Sequence, residues 1–586
     1  MRRFVAEIYN VDDIFSELEE ARKLSREKDV SAVLVHVWLG IQGRYLVNAI
    51  LDELEHCFPK AMVLGCSSGG EIHDGRLTDP AILISVSIFY ETEICLRAYP
   101  MALGREEELG EEIRRDIDAT PGVKAVELAV DTWALDVPTL LSSIGQCSQK
   151  VKIFGSAPFA HDLKSPMFVF SSEGVQELAT IVVTYAGEGF HITTDYAVGW
   201  KPLGVQMRIT QASGKTLCSI DGRPALDVYE RYLKISNDER FFDNAFEFPL
   251  MLYSHDVYVL RIPAGCNEDG SFEMVAAIPE GTSAYMSYGD PETILSEVDE
   301  CRKRVAKFHP EQIFLYSCAV RKAFWKRSVN NEMKPFQRVA PSSGFFTGGE
   351  LLRVNGELLH FNATLLVIGM REGDPGQDAI LSEASDRQED TSSGGVSLVR
   401  RMATFITEAM KELQEKNAQM EKAAITDELT QLFNRREMNR LIARCLEEEE
   451  LFSLVMLDID DFKSVNDTWG HDVGDAVLRD ISGLIRDSVA GRDDAVAGRW
   501  GGEEFMILLP GMDRAAAATV AEELRKAVKG RAFDVAGSMT ISIGVVDSLR
   551  QSQMHVLYRD VDAALYEAKR SGKDRVVVKT REAPSA

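Results

Sequence analysis

At 586 residues the chain exceeds what one hydrophobic core can hold, so about three or four domains are expected. Hydrophobic residues make up 45% and charged residues 27%, an ordinary soluble balance, and no apolar run reaches membrane-spanning length. A formal net charge of −27 argues against general nucleic-acid binding and against attraction to anionic membranes. Met1-Arg2-Arg3-Phe4 leads into a strand-like segment rather than a signal peptide. Nine cysteines, scattered from Cys57 to Cys445, show neither disulfide nor zinc spacing, and a reducing cytoplasm is the expected location.

Residues 1–372 alternate helical and strand patterns. Val11 to Glu27 is amphipathic, Ala32-Val33-Leu34-Val35 is a buried strand, Leu46 to Phe58 is helical and Met62-Val63-Leu64-Gly65 is again a strand, an α/β or α+β plan. Val198-Gly199-Trp200-Lys201-Pro202-Leu203-Gly204 precedes a hairpin about Gly214, and Ile220-Asp221-Gly222-Arg223-Pro224-Ala225-Leu226 opens a helix. With Gly65-Cys66-Ser67, Phe154-Gly155, Ser317-Cys318, Arg321, Gly344-Phe345-Phe346, Gly348-Gly349-Glu350, Asn362 and Thr364, these stretches resemble the FIST sensory domain. The resemblance implies an N-terminal half over 1–200, a C-terminal half over 201–372, and an unidentified small-molecule ligand. Cys66 and Cys318 read as buried, inert thiols rather than redox centres. Gly69-Gly70-Glu71-Ile72 and Gly348-Gly349-Glu350-Leu351 echo each other and read as structural turns. His471 and His360 each lack a partner at ligand spacing, so no transition-metal site is expected.

Residues 373–395, acidic and Ser/Gly-rich, read as a flexible linker, and 396–424 as a signalling helix. Val399, Met402, Ile406, Ala409, Leu413, Lys416, Met420 and Ala423 recur at alternating steps of three and four, apolar except at Lys416. That spacing predicts a coiled-coil seam and a parallel homodimer; the bland alternative is one amphipathic helix packed on its own domain.

Beyond it, Ser453-Leu454-Val455-Met456-Leu457 is a central-strand run ending in Asp458-Ile459-Asp460-Asp461-Phe462-Lys463. Arg499-Trp500-Gly501-Gly502-Glu503-Glu504-Phe505 reads as a hairpin, with Gly501-Gly502 as its turn and both acids starting the second strand. Carboxylates just past a buried strand suit a hard divalent cation over phosphate oxygens. Together with Asp427-Glu428-Leu429-Thr430, Asn434-Arg435-Arg436, Ser542-Ile543-Gly544-Val545 and the Asp562, Lys569, Gly572, Lys573, Arg575 series, these motifs resemble the GGDEF family of diguanylate cyclases over 425–580. The resemblance implies a mixed central sheet flanked by helices, a palm like that of nucleotide cyclases. It also implies condensation of two GTP into cyclic di-GMP across a homodimer.

By the same resemblance Asp458, the Ile459 carbonyl and Glu503 ligate Mg²⁺, with Mn²⁺ as a substitute, and Glu503 accepts the 3′-hydroxyl proton. Glu504, on the opposite face by strand alternation, completes the charge network. Asn466 and Asp475 offer the donors and acceptors that guanine selection needs, against a plain turn-and-cap role around Gly470 and Gly474. His471, Asp461 and Phe462 join them in the substrate set, and Lys463, Lys569 and Lys573 are the phosphate lysines. One departure stands out: Arg492 occupies the arginine position of the family's Arg-x-x-Asp inhibitory site, but Ala495 replaces its aspartate, while Asp493 and Asp494 are out of register. The leading function is therefore a ligand-regulated diguanylate cyclase with a degenerate inhibitory site. A catalytically silent GGDEF domain that binds GTP or a partner protein is the alternative.

Overall fold

The computed structural model describes residues 1–374 and 402–579, apart from 41–42, 79–81, 101–102, 133–135, 161–166, 177, 449, 493, 550–552 and scattered positions between 404 and 423. Most of the expected linker, Val399 and Ala423 of the seam, and Asp493 lie outside the described residues. The chain divides into two compact units, Met1–Met410 and Lys411–Ala586.

Three six-stranded sheets of the N-terminal unit share one wiring. In the first, Arg2–Ile8 pairs antiparallel with Ile82–Phe89, which pairs antiparallel with Ala32–Leu39, itself parallel to Met62–Ser67. Glu93–Pro100, Ala179–Ala186, Val123–Val130 and Lys152–Ala157 repeat this order, as do Phe190–Ala197, Leu365–Glu372, Gln312–Cys318 and Ser342–Thr347. Each sheet is then completed by a hairpin that follows the fourth strand of a different sheet: Val169–Ser171 on the first, Gly349–Val354 on the second, Glu71–His73 on the third. Three equivalent main-chain bonds close the exchange, Phe159 N–H to Ser67 O (3.0 Å), Gly69 N–H to Phe346 O (2.8 Å) and Gly348 N–H to Ala157 O (3.2 Å).

The unit is thus a cyclic three-repeat, and segments before and after residue 200 complete each other's sheets. Where the repeats meet, buried Glu127 accepts hydrogen bonds from His36 Nε2, Tyr185 and Tyr316, one partner from each repeat. A further sheet, from Trp200–Ser213 to Ser283–Gly289, is inserted into the third repeat.

The two Gly-Gly-Glu turns are structural. Ser68 Oγ donates to Glu71 (2.7 Å) and accepts from Gly70 N; Thr347 Oγ1 donates to Glu350 (2.6 Å) and accepts from Gly349 N. Cys66 and Cys318 are buried, and burial pushes both thiols upward. The amphipathic stretch after Val11 is not one helix: it is a 3₁₀ turn and two short helices, Ile14–Glu17 and Glu19–Leu24, interrupted at Leu18.

The described residues from 402 to 425 are helical. On the seam, Met402, Ile406, Leu413 and Met420 are 56, 41, 58 and 68% exposed. Among the described residues no helix is long and apolar enough to cross a membrane.

The C-terminal unit is built on a six-stranded mixed sheet between two helical layers, with a small two-stranded hairpin, Ala532–Phe533 against Gly537–Ser538, beside it. Its elements are β1 (Phe433–Asn434), α1 (Arg435–Glu447), β2 (Phe452–Ile459), α2 (Phe462–Trp469), α3 (His471–Val489), β3 (Val496–Gly501), β4 (Glu504–Pro510), α4 (Arg514–Gly530), β5 (Ile541–Asp547), α5 (Met554–Arg570) and β6 (Val576–Val578). The strand order is β1-β3-β4-β2-β5-β6, antiparallel at the centre and parallel at both edges. Alternation sorts the central strands into two faces. Val455, Leu457, Phe505 and Ile507 meet α2, α3 and α4, while Leu454, Met456, Met506 and Leu508 meet α1 and α5. Side chains such as Asn434 and Asp513 cap the helices by accepting the N–H of Glu437 and of Ala515 and Ala516.

Candidate active site

The acids gather where β2 ends and β4 begins. Asp458 is the direct cross-strand partner of Glu504 on one side and of Ser542 on the other. Cross-strand partners share a face, so both carboxyls lie on the α5 side of the sheet. Buried Phe505 sets the register of the β3–β4 hairpin, pairing with Arg499, while Gly501 pairs with Glu504 and Trp500 is bulged out. The expected Gly501-Gly502 turn is therefore displaced by one residue. The turn is Gly502-Glu503, Gly502 takes positive φ (+56°), and Glu503 stands on the turn rather than in the strand. Trp500 anchors the bulge against Tyr558 (ring centroids 5.0 Å apart) and beneath the Arg435 guanidinium. Strand alternation consequently does not separate Glu503 from Glu504; what distinguishes Glu504 is its pairing with Asp458.

Arg499 holds this turn. Its Nε and Nη2 donate to Gly502 O (3.0 and 2.9 Å) and its Nη1 to Asp427 (3.2 Å). Asp427 also accepts from Thr430 N and Oγ1. Sequence reasoning assigned Arg499 no role, although its place three residues before the turn glycine was visible.

The centre is acid-rich, and a lysine stands close to it. Lys569 Nζ lies 2.6 Å from Asp458 Oδ2. Helix α5 can deliver it because Gly544 leaves room: a Cβ there would stand 2.5 Å from the α5 main chain at Leu565. Burial pushes the Asp458 carboxyl upward despite Lys569, and Glu503 and Asp460 add to the rise. Burial, then Asp458, does the same to Glu504. Two carboxyls that resist ionisation together form a donor set that suits a hard divalent cation. Among the described residues no three His, Cys, Asp or Glu side chains close round one point. A cation here would need main-chain or substrate oxygens to complete its shell, as Mg²⁺ commonly does.

On the other face Gly470, at φ +84°, separates α2 from α3. Asn466 Oδ1 lies against the α3 backbone at Gly474, where a Cβ would meet it at 2.0 Å, and Asp475 follows directly. Phe462 does not fit the expected substrate set through its side chain, which is buried in the core; only its main chain is left for that role. Lys463 and His471 are exposed. Lys573 Nζ sits 2.6 Å from Asp461. Arg492 is turned to Ser488 O and to Glu523 (3.5 Å), and Ala495 packs against the core.

The model of the diguanylate cyclase GGDEF domain matches residues 424–575. The C-terminal unit is a GGDEF domain. In the N-terminal unit the FIST N domain matches residues 34–223 and the FIST C domain 225–353. The GGDEF region is 35% identical over 171 residues to Diguanylate cyclase VdcA of Vibrio cholerae, covering 28% of this chain and 50% of that protein. It is 38% identical over 166 residues to Response regulator PleD of Caulobacter vibrioides, 27% of this chain and 36% of that protein. The chain thus spans half or less of these curated relatives. A crystal structure of the coiled coil and GGDEF domain of DgcB from Caulobacter crescentus, in complex with c-di-GMP, is 33% identical, covering 31% of this chain and all of that one, with a TM-score of 0.28.

Proposed function

We propose that this FIST–GGDEF protein is a cytoplasmic diguanylate cyclase that joins two GTP into cyclic di-GMP, with release of two pyrophosphates, under control of a small molecule bound by its FIST unit. The observation that carries the reading is the Asp458–Glu504 cross-strand pair beside the Glu503 turn. Bound Mg²⁺, or Mn²⁺ in its place, would neutralise phosphate charge and lower the pKa of the attacking 3′-hydroxyl. Asp458, the Ile459 carbonyl and Glu503 would hold it.

The chain's own groups do the rest. Glu503, on a turn held by Arg499, takes the proton from the 3′-hydroxyl as it attacks the α-phosphorus of the facing GTP. Glu504, paired with Asp458, completes the charge network. Lys569, 2.6 Å from Asp458, would serve the phosphates from beside the acids, and Lys573 and Lys463 would complete the phosphate set. Asp475 accepts from guanine N1–H and N2–H₂ while Asn466 donates and accepts, so adenine would leave buried polar groups unpaired.

One domain presents one GTP, so two must face each other. The exposed heptad seam favours a second copy of this chain as its occupant, raising the effective concentration of the facing domains. Ligand binding to the FIST unit would shift the population of facing dimers.

The test is to incubate the purified full chain with GTP and Mg²⁺, with and without ATP, and identify the products by mass. Cyclic di-GMP, lost in Glu503→Gln, is expected. GTP bound but unchanged would instead establish a silent binding domain.

A further inference from the structure

We propose that Asp460 is a positioning residue that fixes Lys573, and through it the phosphates of GTP. The inference rests on Lys573 being a phosphate lysine of the proposed cyclase. Asp460 follows the end of β2 and is buried. Its Oδ1 accepts from Ser542 Oγ (2.7 Å), and its Oδ2 from Thr540 Oγ1 (2.7 Å) and the Asp574 N–H (3.1 Å). Its own N–H donates to Thr540 O (2.9 Å). Among the described residues these carboxyl bonds come from donors far along the chain; Ser542 is also the cross-strand partner of Asp458, which feels the Asp460 charge, but no hydrogen bond joins the two carboxyls.

The third donor belongs to a strained turn. Gly572, Lys573 and Asp574 have φ of +113°, +60° and +44°, and Asp461, facing them, has φ +57°. Consecutive non-glycine residues in the left-handed region persist only where their surroundings over-determine them. Here the surroundings are Asp460 on the Asp574 N–H and, on the Asp574 carboxylate, Arg525 together with Lys529 (2.6 Å). The Lys573–Asp461 ion pair is largely exposed on both sides and too weak to hold the turn by itself. The buried carboxylate therefore sets where the lysine stands.

An amide can replace this carboxylate. Its oxygen keeps the Thr540 and Asp574 donors while its NH₂ turns to the Ser542 hydroxyl. A metal ligand would not tolerate that change. The full chain carrying Asp460→Asn, Asp460→Ala, Thr540→Val and Lys573→Ala, with the last combined with each of the others, separates the roles. Both KM and kcat for GTP and the Kd for GTP without turnover are measured. Asp460→Ala is expected to raise KM and Kd about tenfold with a smaller change in kcat, and Thr540→Val, the milder substitution, about threefold. Asp460→Asn stays within about twofold of the parent, and in the Lys573→Ala background Asp460→Ala and Thr540→Val each add less than about twofold. Effects that add fully to Lys573→Ala, an Asp460→Asn variant as impaired as Asp460→Ala, or unchanged GTP affinity in Asp460→Ala would each overturn the proposal. If GTP is bound but not cyclised, the cycle in Kd still decides it, so failure of the cyclase reading is told apart from failure of this one.

Discussion

Arg499 bridges Asp427, at the opening of the GGDEF domain, to the carbonyl of Gly502 beside Glu503. One guanidinium serves both because its donors diverge in a plane, which an ammonium cannot copy. Arg499→Lys is therefore expected to cost about 2 kcal/mol of domain stability through lost charge-assisted bonds. It should also lower kcat at least about tenfold by loosening the Glu503 turn. Denaturant midpoints and initial rates check both; a variant with wild-type rate would show that the turn needs no brace.

The Asp458–Glu504 pair makes a pH and cation prediction. Both carboxyls are pushed up on folding, chiefly by burial. Their contribution is complete below the ordinary carboxylate range and is lost as pH rises through the folded values. At neutral pH Asp458→Asn and Glu504→Gln should thus melt no lower than the parent without metal, while losing the stabilisation that added Mg²⁺ gives. Thermal melts with and without Mg²⁺ read this directly.

Gly474→Ala should fold, because the clash falls on the far end of the Asn466 side chain. Displacing that amide removes about one hydrogen bond to guanine, or roughly 1.4 kcal/mol, so KM for GTP should rise about tenfold. Preference over ATP should fall with it. Competition assays with the two nucleotides measure the change.

In the FIST unit, burial pushes Glu350 up to about 8, against Thr347, Thr364 N–H and Arg321. The stability it contributes is complete below its ordinary 4.5, declines across the interval and is gone above about 8. The N-terminal calorimetric transition should shift downward over that range, and Glu350→Gln should flatten the shift.

Product feedback through the Arg492 site should be weak or absent. Arg492 is already engaged by Ser488 O and Glu523, and Ala495 supplies no carboxylate. Initial rates with added cyclic di-GMP should stay level; submicromolar binding abolished by Arg492→Ala would contradict this.

Much of the GGDEF unit was legible because its signals are local. An apolar strand ending in acids and a glycine hairpin depend on residues within one turn or one strand of each other. Patterns of that kind also carried the FIST motifs, whose glycines and small residues mark turns.

What lay out of reach depended on partners distant in sequence. Which residue forms the hairpin turn followed from the register that buries Phe505 and bulges Trp500, so Glu503 moved onto the turn. Lys569 on Asp458, Arg499 on Asp427 and Asp460 beneath Lys573 each join segments that meet only when the sheet and α5 assemble. The exchanged hairpins of the three-repeat unit are likewise invisible locally, since a strand's sequence shows which face is apolar but not which neighbour will cover its edge. Local motifs, and the family resemblance they carry, thus located the FIST and GGDEF domains, while long-range packing decided how the residues of each face one another.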